Sequence, residues 1–219
     1  MGALTLYHGS RGGLNGEIRP ESRTRCDFGK GFYMGTNKDQ ARSLVANVPN
    51  PYYYELRFDL DAIPSERILR LEDMEWAYFV LYNRGRLQEV KDSALYRHCR
   101  QLADNKDVII GAIADDAMNE TMNRFIAGII TDKAFLESIR ALDYGVQYVA
   151  KTLTACGCIT IVQEKLLRKG ELAAAVRLAN ERRAAGGRIA EEMQRKYRRE
   201  GRYFDELMQD IRENRIVFA

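Results

Sequence analysis

The sequence predicts an α+β fold carrying a helical C-terminal appendage, and three patterns lead to that prediction. Roughly the first 65 residues hold short aromatic and apolar runs separated by glycine-rich loops, as strands do. From Arg70 to Leu142 apolar residues recur at helical spacing, interrupted once by the β-branched run Asp107–Ile113. Beyond Val162 the chain turns to Ala, Leu, Glu and Arg, the composition of long helices. A chain of 219 residues accommodates one large domain with a small appendage. The expected division is a core over 1–162 and a helical extension over 163–219.

Taken in order, Ala3–His8 alternates weakly and opens into the loop residues Gly9, Ser10, Gly12 and Gly13. Lys38–Asn47 reads as a short helix and Tyr52–Leu60 as an aromatic-rich strand. Met74, Tyr78, Leu81 and Tyr82 share a helical face within Arg70–Ala103. Asp107–Ile113 (DVIIGAI) reads as a buried strand, followed by helix from about Ala117 to Leu142. Val146–Leu153 and Gly157–Val162 are expected to form a final hairpin, with Ala155–Gly157 near its turn. Two helices, Glu164–Ala185 and Arg188–Glu213, are expected on either side of the pair Gly186-Gly187. Ile189, Met193 and Tyr197 fall on one face of the second.

Apolar residues make up 46% and charged residues 30% of the chain, a balance that supports a buried core. The net charge of +3 selects no partner, although its basic excess lies in the C-terminal segment. Cys26, Cys99, Cys156 and Cys158 are too few and scattered for a disulfide scaffold. The opening residues MGALTLYHGS lack the basic and apolar regions of a signal peptide. No apolar run reaches the roughly 20 residues of a membrane span. A reducing cytoplasmic location and no membrane partner are the expectation.

Two clusters carry potential chemistry. In Tyr7-His8-Gly9-Ser10 a histidine sits beside a glycine at a strand end, where an imidazole nitrogen and nearly bare backbone can face a ligand. A lone histidine is also a common structural residue. In Asp27-Phe28-Gly29-Lys30-Gly31-Phe32-Tyr33-Met34 two glycines permit a sharp turn, and the aromatics after them offer a flat stacking face. The alternative is a turn leading into a core strand. The spacing is not that of a P-loop. Cys156 and Cys158, with only His8 and His98 to join them, fall short of a zinc site, and no metal is expected. Arg195, Lys196, Arg198, Arg199 and Arg202 form a basic stretch, but Glu191, Glu192 and Glu200 interleave with it as on a solvated helix face.

In combination and in order, the clusters carry a family resemblance. L-Y-H-G-S, then about twenty residues, then F-G-K-G-F-Y, then a helix near Lys38-Asp39-Gln40-Ala41 resembles the diphtheria-toxin and poly(ADP-ribose) polymerase branch of the ADP-ribosyltransferases. The chain resembles more closely the bacterial domain of unknown function 3990, with its D-F-G-K-G-F-Y signature. That similarity extends over most of residues 4–160. The resemblance implies a split β-sheet core with helical insertions and NAD as substrate. His8 would then bond the adenosine-side ribose, Gly9 would pair its backbone with the nicotinamide carboxamide, and Ser10 would contact ribose. Tyr33 would stack on the nicotinamide ring.

The third superfamily position is a glutamate at the start of a late strand. It grips the nicotinamide ribose and stabilises the positive charge that develops as the glycosidic bond breaks. Here the matching stretch is Gly145-Val146-Gln147-Tyr148-Val149-Ala150, which places Gln147, able to accept a hydrogen bond but uncharged, at that position. Asp115-Asp116 follow the Asp107–Ile113 run, and Asp116 is either a replacement carboxylate or a helix N-cap. Arg84 is either a pyrophosphate contact or an ordinary surface arginine. Asp27 and Lys30 either touch ligand or shape the turn. The resemblance implies a mono-ADP-ribosyltransferase acting on a protein, nucleic-acid or small-molecule acceptor, in the manner of a toxin or effector with a neutralising antitoxin or immunity partner. The alternative is an inactive NAD-binding or partner-binding module of the same fold.

Overall fold

Short apolar runs far apart in sequence pair edge to edge, and that pairing sets the architecture. The computed structural model of the chain describes residues 2–114, 116–142, 145–213 and 215–216. Among them seven strands form one mixed sheet: β1 (Leu4–Ser10), β2 (Phe32–Gly35), β3 (Tyr52–Phe58), β4 (Ile68–Arg70), β5 (Val108–Ala112), β6 (Val146–Ala150) and β7 (Ile159–Leu166). Their order is β4-β5-β6-β2-β1-β3-β7, with β4 and β5 parallel and the other neighbours antiparallel. The described helices are α1 (Lys38–Ser43), α2 (Asp73–Asn83), α3 (Ala94–Leu102), α4 (Asp116–Ile126), α5 (Asp132–Leu142), α6 (Leu153–Gly157), α7 (Lys169–Tyr197) and α8 (Phe204–Arg212). The chain is thus a mixed α/β protein. No described helix is long and apolar enough to cross a membrane.

The chain divides into two compact units. One comprises Met1–Leu71, Asn105–Ile113 and Tyr144–Glu181, the other Glu72–Asp104, Ala114–Asp143 and Arg182–Ala219. Arg182–Ala219 groups with the helices of the chain's middle.

The first unit holds the whole sheet. Side chains alternate across a strand, so Tyr54, Leu56 and Phe58 of β3 point to one face. There they join Leu6, Met34, Val108 and Ile110, with Ala155 and Cys156 of α6 packed over them. The opposite face carries a smaller cluster in which Ala41 and Val45 cover Tyr53, flanked by Tyr7. The α1 helix starts there because the Asn37 side chain accepts from the Asp39 and Gln40 amides, both at 3.1 Å. The second unit is helical and packs on aromatics. Phe125 of α4 stacks on Phe135 of α5 at 4.9 Å between ring centroids. Trp76 of α2 and Phe204 of α8 extend that group.

Two expectations are corrected. The final hairpin does not form: β6 lies between β2 and β5, whereas β7 pairs with β3 at the edge of the sheet. A helix replaces the expected turn, because Thr152 caps α6 by accepting from the Ala155 amide and donates to the Asp107 carboxylate at 2.8 Å. Cys156 is accordingly a buried helix residue. The pair Gly186-Gly187 does not end a helix either, since α7 runs through it. Two glycines cost about 1 kcal/mol each, which a helix of 29 residues rich in Ala, Leu, Arg and Glu absorbs. The chain turns instead at Gly201, whose φ of +80° few other residues adopt. A Cβ there would stand 2.2 Å from Asp132 Oδ1.

Candidate functional site

The site grows from a place where two neighbouring strands part. β1 pairs with β3 along its full length, from Leu4↔Phe58 to Ser10↔Tyr52. Its described pairing with β2 is limited to Tyr7↔Gly35. Past that point His8, Gly9 and Ser10 diverge from Phe32 and Tyr33, and a cleft of about 510 Å³ opens. Its lining includes His8, Ser10, Phe32 and Tyr33 together with Leu14, Asn15, Glu17, Arg19, Glu21 and Ser22. The volume suits a small-molecule or cofactor site, for which about 300–1,000 Å³ is usual.

His8 is fixed across the parting. Its Nδ1 lies 2.7 Å from the Tyr33 carbonyl oxygen, and a carbonyl only accepts, so Nδ1 carries the proton. Its ring packs on Phe32 at 4.5 Å between centroids, with Tyr54 beyond. Desolvation among these rings pushes the imidazole down to about 4, and the bond to Tyr33 offsets this only in part. His8 is therefore neutral near pH 7, with Nε2 left as a hydrogen-bond acceptor.

Tyr33 is pinned from its far end. Its hydroxyl donates to the Gly29 carbonyl at 2.7 Å and accepts from the Phe28 amide at 3.0 Å. Gly29 can bend the turn because it takes a φ of +71°, and the Phe28 ring anchors the turn in the core with no exposed surface. The Ser22 hydroxyl accepts from the Gly31 amide at 3.2 Å, tying the cleft's outer loop to the same turn. From the residue just after β6, the Lys151 ammonium donates to the Phe28 carbonyl at 2.5 Å. Burial pushes Lys151 down to about 8.

The outer loop is held by its own bonds. Ser10 donates to the Gly13 carbonyl at 3.0 Å, and the Leu14 amide donates to the Tyr54 hydroxyl at 2.9 Å. Arg19 and Glu17 pair at 2.7 Å on an exposed surface, a contact that contributes little to stability but sets both charges at the cleft rim.

The structure thus brings His8, Ser10 and Tyr33 to one cleft. It places Gly9 differently: a Cβ there would lie 2.2 Å from the Ala41 carbonyl oxygen, so the glycine admits α1 against β1. Gln147 is outside the cleft lining. It is 7% exposed, pairs across the sheet with Gly35 and Gly111, and donates to the Ala112 carbonyl at 3.1 Å. Asp115 and the Asp116 side chain lie outside the described residues; Asp116 opens α4. Arg84 belongs to the helical unit, where it bonds Asn119. Lys30 is exposed and Asp27 half-buried, neither in the lining. Sequence reasoning passed over the 14–22 loop and Lys151. The only local signal in that loop was Arg19-Pro20-Glu21, where a proline stiffens a charged stretch. Among the described residues no group of His, Cys, Asp and Glu could hold a metal ion.

The family model described as "Protein of unknown function (DUF3990)" matches residues 4–161. The chain belongs to that family. The DUF3990 match begins at β1 and ends within β7, so it takes in every residue lining the cleft. No curated protein and no solved structure matches the chain.

Proposed function

We propose that the cleft at the parting of β1 and β2 binds NAD and that the chain is a mono-ADP-ribosyltransferase. One observation carries the reading: His8 and Tyr33, 25 residues apart, meet at one cleft with the imidazole held as a neutral acceptor. The sequence resemblance of the same two motifs to ADP-ribosyltransferases supplies the ligand. In this reading His8 Nε2 accepts from a ribose hydroxyl, a role a protonated imidazole would lose. The Tyr33 ring offers a stacking face that cannot swing away, since its hydroxyl is held at two points. Gly9 offers backbone hydrogen-bonding groups where β1 leaves β2. Ser10 stands beside His8 with a second hydroxyl.

Bound NAD supplies an activated glycosidic bond: nicotinamide leaves with the bonding electron pair, and an acceptor nucleophile takes its place on the ribose carbon. The preference for a single transfer over chain elongation rests on the motif resemblance, in which the neutral Gln147, itself outside the cleft lining, stands where the superfamily has a glutamate. The acceptor class (protein, nucleic acid or small molecule) and a toxin or effector role with a neutralising partner rest on the resemblance alone. A second reading, an NAD-binding module without turnover, is favoured by Gln147, which is neutral and already bonded to Ala112.

Incubation with nicotinamide-labelled NAD and lysate separates the two. The enzyme releases labelled nicotinamide, and His8→Ala and Tyr33→Ala abolish the release. NAD binding without release selects the module, and release undiminished in both variants refutes the site.

A further inference from the structure

We propose that Lys151 is a positioning residue for the cleft, its ammonium clamping the Phe28 carbonyl and thereby fixing where the Tyr33 ring stands. The inference rests on the reading of that cleft as the NAD site, and it concerns a residue outside the motifs that suggested that reading.

Three backbone polar groups of one turn are held by two side chains, Tyr33 just after the turn and Lys151 from far along the chain. The Phe28 amide donates to the Tyr33 hydroxyl at 3.0 Å. The Phe28 carbonyl accepts from Lys151 at 2.5 Å. The Gly29 carbonyl accepts from the Tyr33 hydroxyl at 2.7 Å. Lys151 therefore grips the peptide group between the two points to which Tyr33 is tied. A shift of that carbonyl moves both partners of the Tyr33 hydroxyl together. The lysine stem follows the turn closely, because a Cβ added to Gly31 would meet Lys151 Cδ at 3.4 Å. Its backbone is fixed as well: the Lys151 amide donates to the Asp107 carbonyl at 2.8 Å, continuing the line of β6. The clamp thus transmits the position of the sheet to the turn.

Packing alone does not require an ammonium there. An apolar side chain of similar length fills the same space without being desolvated, whereas burial of Lys151 disfavours its charge. A charge kept at that cost makes one strong bond to a backbone carbonyl, and that carbonyl lies in the turn that holds the cleft's aromatic wall. Ser22 grips the next part of the turn through the Gly31 amide, so loss of Lys151 loosens Phe28 and Gly29 more than Gly31.

The test compares Lys151→Met with Lys151→Arg in the full chain. Hydrogen exchange of the Phe28 and Gly31 amides is read without ligand, and NAD affinity is read by titration calorimetry. Lys151→Met is expected to lower Phe28 protection and NAD affinity by about tenfold, the scale of one charge-assisted hydrogen bond, while Gly31 protection changes less. Lys151→Arg, which restores a charged donor, is expected to recover most of both. Unchanged Phe28 protection in a folded Lys151→Met protein overturns the proposal, as does an arginine that rescues nothing. Should Lys151→Met fail to fold, the wild-type ammonium decides: a slowly exchanging Lys151 resonance supports the clamp and a freely exchanging one overturns it. Absence of NAD binding to wild type refutes the NAD reading, and the exchange data still decide the clamp.

Discussion

Gly9→Ala separates the two reasons a glycine can follow His8. If Gly9 is a glycine because α1 packs on it, alanine destabilises the fold whether or not any ligand is present. The new Cβ would stand 2.2 Å from the Ala41 carbonyl oxygen and 3.1 Å from Val45 Cγ1. The oxygen belongs to helix backbone, so no side-chain rotation relieves the clash, and α1 must retreat by about 1 Å from its van der Waals separation. Overpacking of this kind costs about 1–3 kcal/mol. The alternative, lifting α1 away, forfeits the burial of Val45, roughly 1.5–3 kcal/mol. Either route predicts a loss of about 1–3 kcal/mol. Gly12→Ala is the control, because nothing lies within 4 Å of a Cβ there, and its effect should stay within about 0.5 kcal/mol. Urea unfolding of the two variants reads the difference. A Gly9→Ala protein as stable as Gly12→Ala, but unable to bind NAD, would refute the packing argument and return the glycine to the ligand.

His8 has a folded pKa of about 4 against an ordinary 6.5, so the unfolded chain binds more protons between those values. Its contribution is complete above pH 6.5 and is lost as pH falls toward 4, by about 2–3 kcal/mol. Urea midpoints across that window should be steeper for wild type than for His8→Gln, and equal slopes would contradict the burial of the imidazole. Tyr33→Phe keeps the ring but leaves the Phe28 amide without its acceptor, a loss of about 1–2 kcal/mol. Thermal unfolding and exchange at Phe28 should both register it, and neither changing would show that the hydroxyl does not hold the turn. In the helical unit, Gly201→Ala forces a non-glycine into a φ of +80° against Asp132 and Lys133. A loss of about 2–3 kcal/mol is expected, and a neutral result in calorimetry would show that the α7–α8 connection adapts.

Local pattern revealed most individual elements and few of their neighbours. β1, β3 and β5 are visible because aromatic and β-branched runs sit between turn residues, and the β5 run is buried on both faces. The β6 and β7 segments were visible too, but their adjacency in sequence suggested a hairpin. Their true partners, β2 and β5 for one and β3 for the other, are set by long-range packing that no local period encodes. The glycine pair in α7 misled for a different reason: helix propensity is a weak term that a long helix overrides, whereas Gly201 is required by both its φ and its neighbours.

The site divides in the same way. His8, Ser10 and Tyr33, singled out by the family resemblance of two short motifs, lie together in the lining of one cleft. The tie from His8 to the Tyr33 carbonyl was not legible in those motifs, since it depends on β1 and β2 parting after Tyr7 and Gly35. Gln147 illustrates the limit of strand alternation. Val146 is 37% exposed and Gln147 is 7% exposed, the reverse of what polarity suggests, because Gly35 and Gly111 flank the glutamine and the Ala112 carbonyl accepts from its amide. Lys151 and Ser22 left no sequence signal, as their importance lies in backbone groups they reach across the fold.

If NAD occupies the cleft lined by His8 and Tyr33, titration calorimetry of NAD into wild type, His8→Ala and Tyr33→Ala, each first shown to be folded, gives saturable binding by wild type, weakened about tenfold or more in each variant. Binding of equal strength in all three proteins, or none to wild type at millimolar NAD, would contradict that occupancy.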